Sequence, residues 1–237
     1  MDRRTGNSYV TLVTGLSQFA RGYGDYRAVL FWLLLLGSWQ FLAVPGTGNT
    51  LFGAAGTAAF LILAWRNLGR LEGLGLGHAA WRPATKPQWL VAGAIGLLSG
   101  AIVFGIASAS RESLGLTTDR GLLLLQVTLG PVLEEIVFRG YLFALLTWCL
   151  GKAAGGVLLR WLVSVVSAVL FAAAHSAQPG VGWLQLACIA STGLLYGCIR
   201  SWSESAAPPA ICHAFYNLTL YAGQLLIVAL RPASGFR

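Results

Sequence analysis

The sequence predicts an all-α protein, a polytopic bundle of about seven or eight membrane-crossing helices. Two observations carry the class. Of the 237 residues 56% are hydrophobic and only 10% charged, and mean hydropathy is +0.69, whereas a soluble domain carries roughly 25% charged residues. The apolar residues also fall into runs near the roughly 20 that a helix needs to cross a hydrocarbon core. A third feature is the 30 glycines, in keeping with helices that pack closely inside a membrane.

The runs give the elements in order. Ala28–Val44 and Thr50–Trp65 are the first two predicted spans, followed by Trp89–Ser108. Between them, Arg66 to Gln88 is the longest polar connection. Its leucines at 68, 71, 74 and 76 beside Arg66 and Arg70 suggest a short amphipathic piece on the inner surface, and His78 reads as a solvated loop residue. Gly121–Leu150 follows. At about 45 Å it is too long for one simple crossing, so Pro131 is expected to kink it, or its last turns to lie along the interface. Val157–Ala174, Val181–Cys198 and Ala207–Leu230 complete the set. No repeat or low-complexity tail divides the chain, so residues 1–237 read as one membrane domain.

The net charge of +8 comes from arginines and lysines at the ends of apolar runs, not from a basic stripe, which argues against nucleic acid as a partner. With the N-terminus inside, Arg3, Arg4, Arg21, Arg27, Arg66, Arg70, Arg82, Lys86, Lys152, Arg160 and Arg200 fall on the inner side, and Arg111, Arg120, Arg231 and Arg237 on the outer. The excess places the N-terminus in the cytoplasm, and a bacterial inner membrane is the expected location. Met1 to Arg27 lacks the apolar core of a signal peptide, so the run from Ala28 reads as a retained span. The cysteines Cys149, Cys188, Cys198 and Cys212 form no CxxC pair and read as small buried hydrophobes. No cofactor or metal is expected.

Against this background three clusters stand out, because ionisable groups within apolar helices are costly and mark function. Glu134, Glu135 and Arg139 lie in one of the most apolar parts of the chain. Glu135 and Arg139, four apart, share a helix face and can pair; Glu134 points about 100° away and lacks that partner. Phe171-Ala172-Ala173-Ala174-His175 closes one span, its alanines leaving room for a helix or substrate. His213 and Asn217 share a face of the last span. A carboxylate, two imidazoles and an amide together can supply a base, a water-orienting group and oxyanion donors.

In these three clusters the sequence resembles the CPBP family, the CAAX-protease and bacteriocin-processing membrane proteins. Glu134-Glu135-Ile136-Val137-Phe138-Arg139 is similar to its E-E-x-x-x-R signature, Phe171 to His175 to its F-x-x-x-H motif, and His213 to Asn217 to its H-x-x-x-N motif. They occur in family order, and the resemblance covers about 121–221. It implies a glutamate-dependent intramembrane endopeptidase. Glu134 would activate water, His175 would help to hold it, and His213 and Asn217 would stabilise the oxyanion. Glu135 with Arg139 would support the site. The substrate would be a membrane-anchored protein or peptide, processed as a CAAX terminus, a leader or a C-terminal sorting tail.

Two other readings compete. Glu134, His175 and His213 are a His₂Glu set that suits a catalytic metal, although no H-E-x-x-H helix is present. A non-enzymatic immunity factor, scaffold or transporter could use the same polar residues for packing or binding. One count sits badly with a shared site: from the inner ends of their spans, Glu134 and His175 lie about 24–26 Å deep and His213 about 9 Å, so the span bounds or tilts must differ from this simple reading.

Overall fold

A computed structural model describes residues 83–110, 123, 126–151, 153–176, 178 and 181–230. The spans expected at Ala28–Val44 and Thr50–Trp65, the amphipathic piece after Arg66, and His78 lie outside these residues. Everything described is helical or connecting, with no strand. The elements are α1 (Lys86–Ser110); α2 (Leu129–Glu135), continued by a π-helical segment (Ile136–Leu142) and α3 (Phe143–Leu150); α4 (Gly156–His175); α5 (Trp183–Ser203); and α6 (Ala207–Leu230).

Local chemistry explains the boundaries. The run expected over Gly121–Leu150 is interrupted at Thr128, with φ −115° and ψ −78°. Pro131, three residues on, has no N–H to offer the turn before it, so the helix restarts at Leu129. From 129 to 150 the run measures about 33 Å, close to one crossing. Gly182 opens α5 with its N–H donated to Gln185 Oε1 at 2.8 Å, and α5 ends where Glu204 turns left-handed at φ 53°. Pro208 and Pro209 sit in the first turn of α6, where their missing N–H groups would have had no helical partner. α5 runs to Ser203, five residues past the expected end, and carries Arg200 within it. Arg200 is thus no loop charge; it is largely buried.

The packing is inside-out relative to a soluble protein. Glu135 and Arg139 are fully buried, while Leu90, Leu98, Val157, Leu158 and Val169 are exposed. Two of the described helices, Lys86–Ser110 and Gly156–His175, are long and apolar enough to cross a membrane. Successive helices α4, α5 and α6 are joined by short connections and alternate in direction. Gly193 faces Ala168 and Gly197 faces Ser164, which fixes α4 and α5 as antiparallel. α1 packs parallel to α6. A Cβ on Gly96 would meet Cys212 and Phe215, and one on Gly100 would meet Tyr216 and Thr219.

That Gly-x-x-x-Gly spacing lets two backbones approach as membrane helices do when apolar burial cannot drive their association. A Cβ at Gly96 would overlap the Cys212 carbonyl oxygen, backbone that cannot swing aside. Gly96→Ala is therefore expected to cost about 1–3 kcal/mol or more, the usual penalty of overpacking. The check is the unfolding temperature of the detergent-solubilised protein. An unchanged value would mean that α1 and α6 do not meet here.

Candidate active site

The backbone of the second helix prepares the site. In the segment Ile136–Leu142 the helix widens to π geometry, which shifts the register of its carbonyls and is common at functional sites. Two of those carbonyls accept side-chain donors from neighbouring helices. Ser167 Oγ of α4 donates to Phe138 O at 3.2 Å, and Arg200 Nε of α5 donates to Arg139 O at 2.9 Å. The segment bearing the arginine is thereby pinned to α4 and α5.

Arg139 is then fully enclosed. Its Nη1 donates to Glu135 Oε1 at 3.1 Å, and its Nη2 to the carbonyl of Gly193 at 2.7 Å. A Cβ on Gly193 would press on Phe171 at 3.1 Å and on Arg139 at 3.3 Å, so glycine keeps that carbonyl within reach. The guanidinium carbon sits 4.5 Å from the ring centroid of Phe171 and 5.3 Å from that of Tyr196. Those aromatic faces attract a cation that water no longer solvates.

Glu135 Oε1 accepts a second donor, His213 Nδ1, at 3.1 Å. His213 is also stacked on Tyr196, with ring centroids 4.8 Å apart and 23° between planes. On the other side of the site, His175 Nδ1 donates to Phe171 O at 2.8 Å. A carbonyl or carboxylate can only accept, so both Nδ1 atoms carry hydrogen. In each neutral ring this leaves Nε2 as an acceptor. Both Nε2 atoms face the same carboxylate oxygen: Glu134 Oε2 lies 3.7 Å from His175 and 3.9 Å from His213.

Three acceptors thus converge on one point with no donor of the protein between them. Glu134 Oε2 is buried and has no hydrogen-bond partner. The separations are too long for direct hydrogen bonds and suit a small molecule that donates two protons, such as water. Among the described residues no three His, Cys, Asp or Glu side chains are arranged to hold a metal ion.

Residues 116–219 match the family model of type II CAAX prenyl endopeptidases, Rce1-like. The chain carries an Rce1-like region. All three motifs fall inside it, and the resemblance to the CPBP family is borne out. No curated protein and no solved structure matches the chain. Together with the two long apolar helices, the match identifies an integral membrane protein.

The Rce1-like region brings Glu134, Glu135, Arg139, His175 and His213 together as one connected cluster. Asn217, one turn past His213 on α6, is held instead on Gln126, donating from Nδ2 to its carbonyl at 2.7 Å. Tyr221, a turn further, bonds the Gln126 side chain through its hydroxyl. The segment before α2 is thereby fastened to α6.

The side chains of Glu134, His175 and His213 meet, so it is the simple depth count that does not hold, and the shared site stands. His175 reaches in from the end of α4 and His213 from the second turn of α6, each imidazole covering part of the distance. Residues that the sequence reading did not single out complete the site: Ser167, Gly193, Tyr196, Arg200 and Gln126. The spacing of Gly193 and Gly197 is the one signal in the sequence for this face. An arginine four residues after Tyr196 reads equally well as a span-end charge.

Proposed function

We propose that the protein is an intramembrane endopeptidase that hydrolyses a peptide bond of a membrane-anchored substrate with water activated by Glu134. The observation that carries this reading is the buried, unpartnered Glu134 Oε2 faced by two imidazole Nε2 atoms. A water there can give one proton to the carboxylate and turn a lone pair toward a substrate carbonyl.

The steps balance as a simple hydrolysis. Glu134 takes a proton from water as the oxygen bonds to the scissile carbonyl carbon, and a tetrahedral oxyanion forms. Asn217 retains a second N–H beyond the one given to Gln126, and His213 supplies another donor while the proton that Glu134 took from water resides on its Nε2, 3.9 Å away, before returning to the carboxylate. Such donors stabilise an oxyanion most where water is excluded. Collapse breaks the C–N bond, and the proton held by Glu134 passes to the leaving amine. Glu135 with Arg139 positions His213 and does not touch the substrate.

The matched family model, described as a type II CAAX prenyl endopeptidase, supports a prenylated CAAX terminus as the substrate; leaders and C-terminal sorting tails are the other forms of membrane-anchored peptide in this reading. In this reading residues 1–237 form one membrane domain with about seven or eight spans. The N-terminus lies inside, in keeping with the inner-side excess of arginine and lysine, and the bilayer is a bacterial inner membrane. The test is to present the purified, full-length protein with prenylated CAAX peptides, leader peptides and sorting tails and to map the products by mass spectrometry. Hydrolysis of one class supports the proposal and names the substrate. A folded protein that cleaves none of them contradicts it.

A further inference from the structure

At the end of α4 opposite His175, where α4 begins and α5 ends, the two helices flank an open cleft of about 240 Å³ lined by Val157, Arg160, Trp161, Ser164, Cys198, Ser201 and Trp202. We propose that this cleft binds the phosphate headgroup of an anionic phospholipid.

The lining supplies what such a group needs. Arg160 is exposed and is the one charged side chain in the lining. Among the described residues no carboxylate pairs with it. Deeper in the cleft, Ser164 is 2% exposed, and its hydroxyl lies 3.4 Å from that of Ser201. One of the two donates its single O–H to the other, whose own O–H is left for a phosphate oxygen. A guanidinium and a hydroxyl donor side by side are a phosphate-binding set.

The surroundings choose the lipid over a soluble phosphate. Trp161 and Trp202 flank the opening, each about half exposed at 52% and 51%, and indoles at that level of a membrane protein settle among headgroups. Next to Arg160 on α4, Val157 and Leu158 are more than half exposed and offer a path for acyl chains. Basic pockets between membrane helices take anionic headgroups for these reasons.

The experiment titrates phosphatidylglycerol and phosphatidylcholine onto the full-length protein in detergent and counts lipid adducts by native mass spectrometry. Wild type is expected to prefer phosphatidylglycerol, and Arg160→Gln to weaken that binding about fivefold while leaving phosphatidylcholine unchanged. Lys86→Gln, which removes an exposed charge at the start of α1, is expected to change neither. Equal losses in both variants would overturn the proposal in favour of net charge, as would no preference between the lipids. Binding of free glycerol phosphate as tight as that of the lipid would overturn the lipid assignment. Should Arg160→Gln fail to accumulate, Ser201→Val puts the same question by replacing a cleft hydroxyl with an apolar side chain, and unchanged phosphatidylglycerol binding in it would also count against the site.

Discussion

Glu134→Gln is expected to abolish cleavage, lowering the rate by about 10²–10⁴-fold, the contribution of a positioned general base, while the protein accumulates in the membrane as wild type does. Both parts follow from the surroundings of this side chain. Glu134 is 22% exposed, and no hydrogen bond holds its Oε2, so the amide removes no structural contact. The amide cannot accept a proton, and its NH₂ would present donors to two histidine acceptors, drawing the rings onto the side chain and closing the space for water. The check is the single-turnover rate on whichever substrate the wild type cleaves, beside the amount of folded protein. Retained cleavage would remove Glu134 from the mechanism.

The largest effect on stability is expected at Arg139. Arg139→Leu leaves Glu135 fully buried with His213 as its remaining donor, and breaking one side of a buried pair costs about 3–5 kcal/mol. That is a large part of the 5–15 kcal/mol by which domains are usually stable. The same change removes the bond to Gly193 O and the contacts with Phe171 and Tyr196, so α2, α4 and α5 all loosen. Unfolding temperature and membrane accumulation measure the loss. The double variant Glu135→Leu/Arg139→Leu is expected to recover much of the stability, because apolar residues replace a buried pair at little cost. It is expected to remain inactive, because His213 Nδ1 then has no acceptor to fix the ring. A double variant that is both stable and active would show that the pair does not position the histidine.

The parts of this arrangement that the sequence made legible are those written in local spacing. The pairing of Glu135 with Arg139 follows from their i, i+4 separation, and Glu134 is set apart by one helical step. The bounds of α6, Ala207–Leu230, follow from its prolines and apolar run. What spacing does not carry is how helices sit against one another. Arg200 reads as a span-end charge because nothing local shows that the π segment turns the Arg139 carbonyl toward it. Tyr196 reads as an ordinary aromatic until His213 is stacked on it from another helix. Asn217 shares a face of α6 with His213, as its spacing implies, yet the acceptor of its amide, the Gln126 carbonyl, is 91 residues away in sequence and follows from no pattern within either segment. The depth count failed for the same reason.

Loss of activity in Glu134→Gln is expected whether the carboxylate activates water or, with His175 and His213, ligates a metal. The measurement that separates these is the cleavage rate of wild-type protein stripped with a strong chelator and verified metal-free by elemental analysis. A mechanism driven by the Glu134 carboxylate predicts an unchanged rate under these conditions. Cleavage that disappears with the chelator and returns on addition of zinc would contradict it.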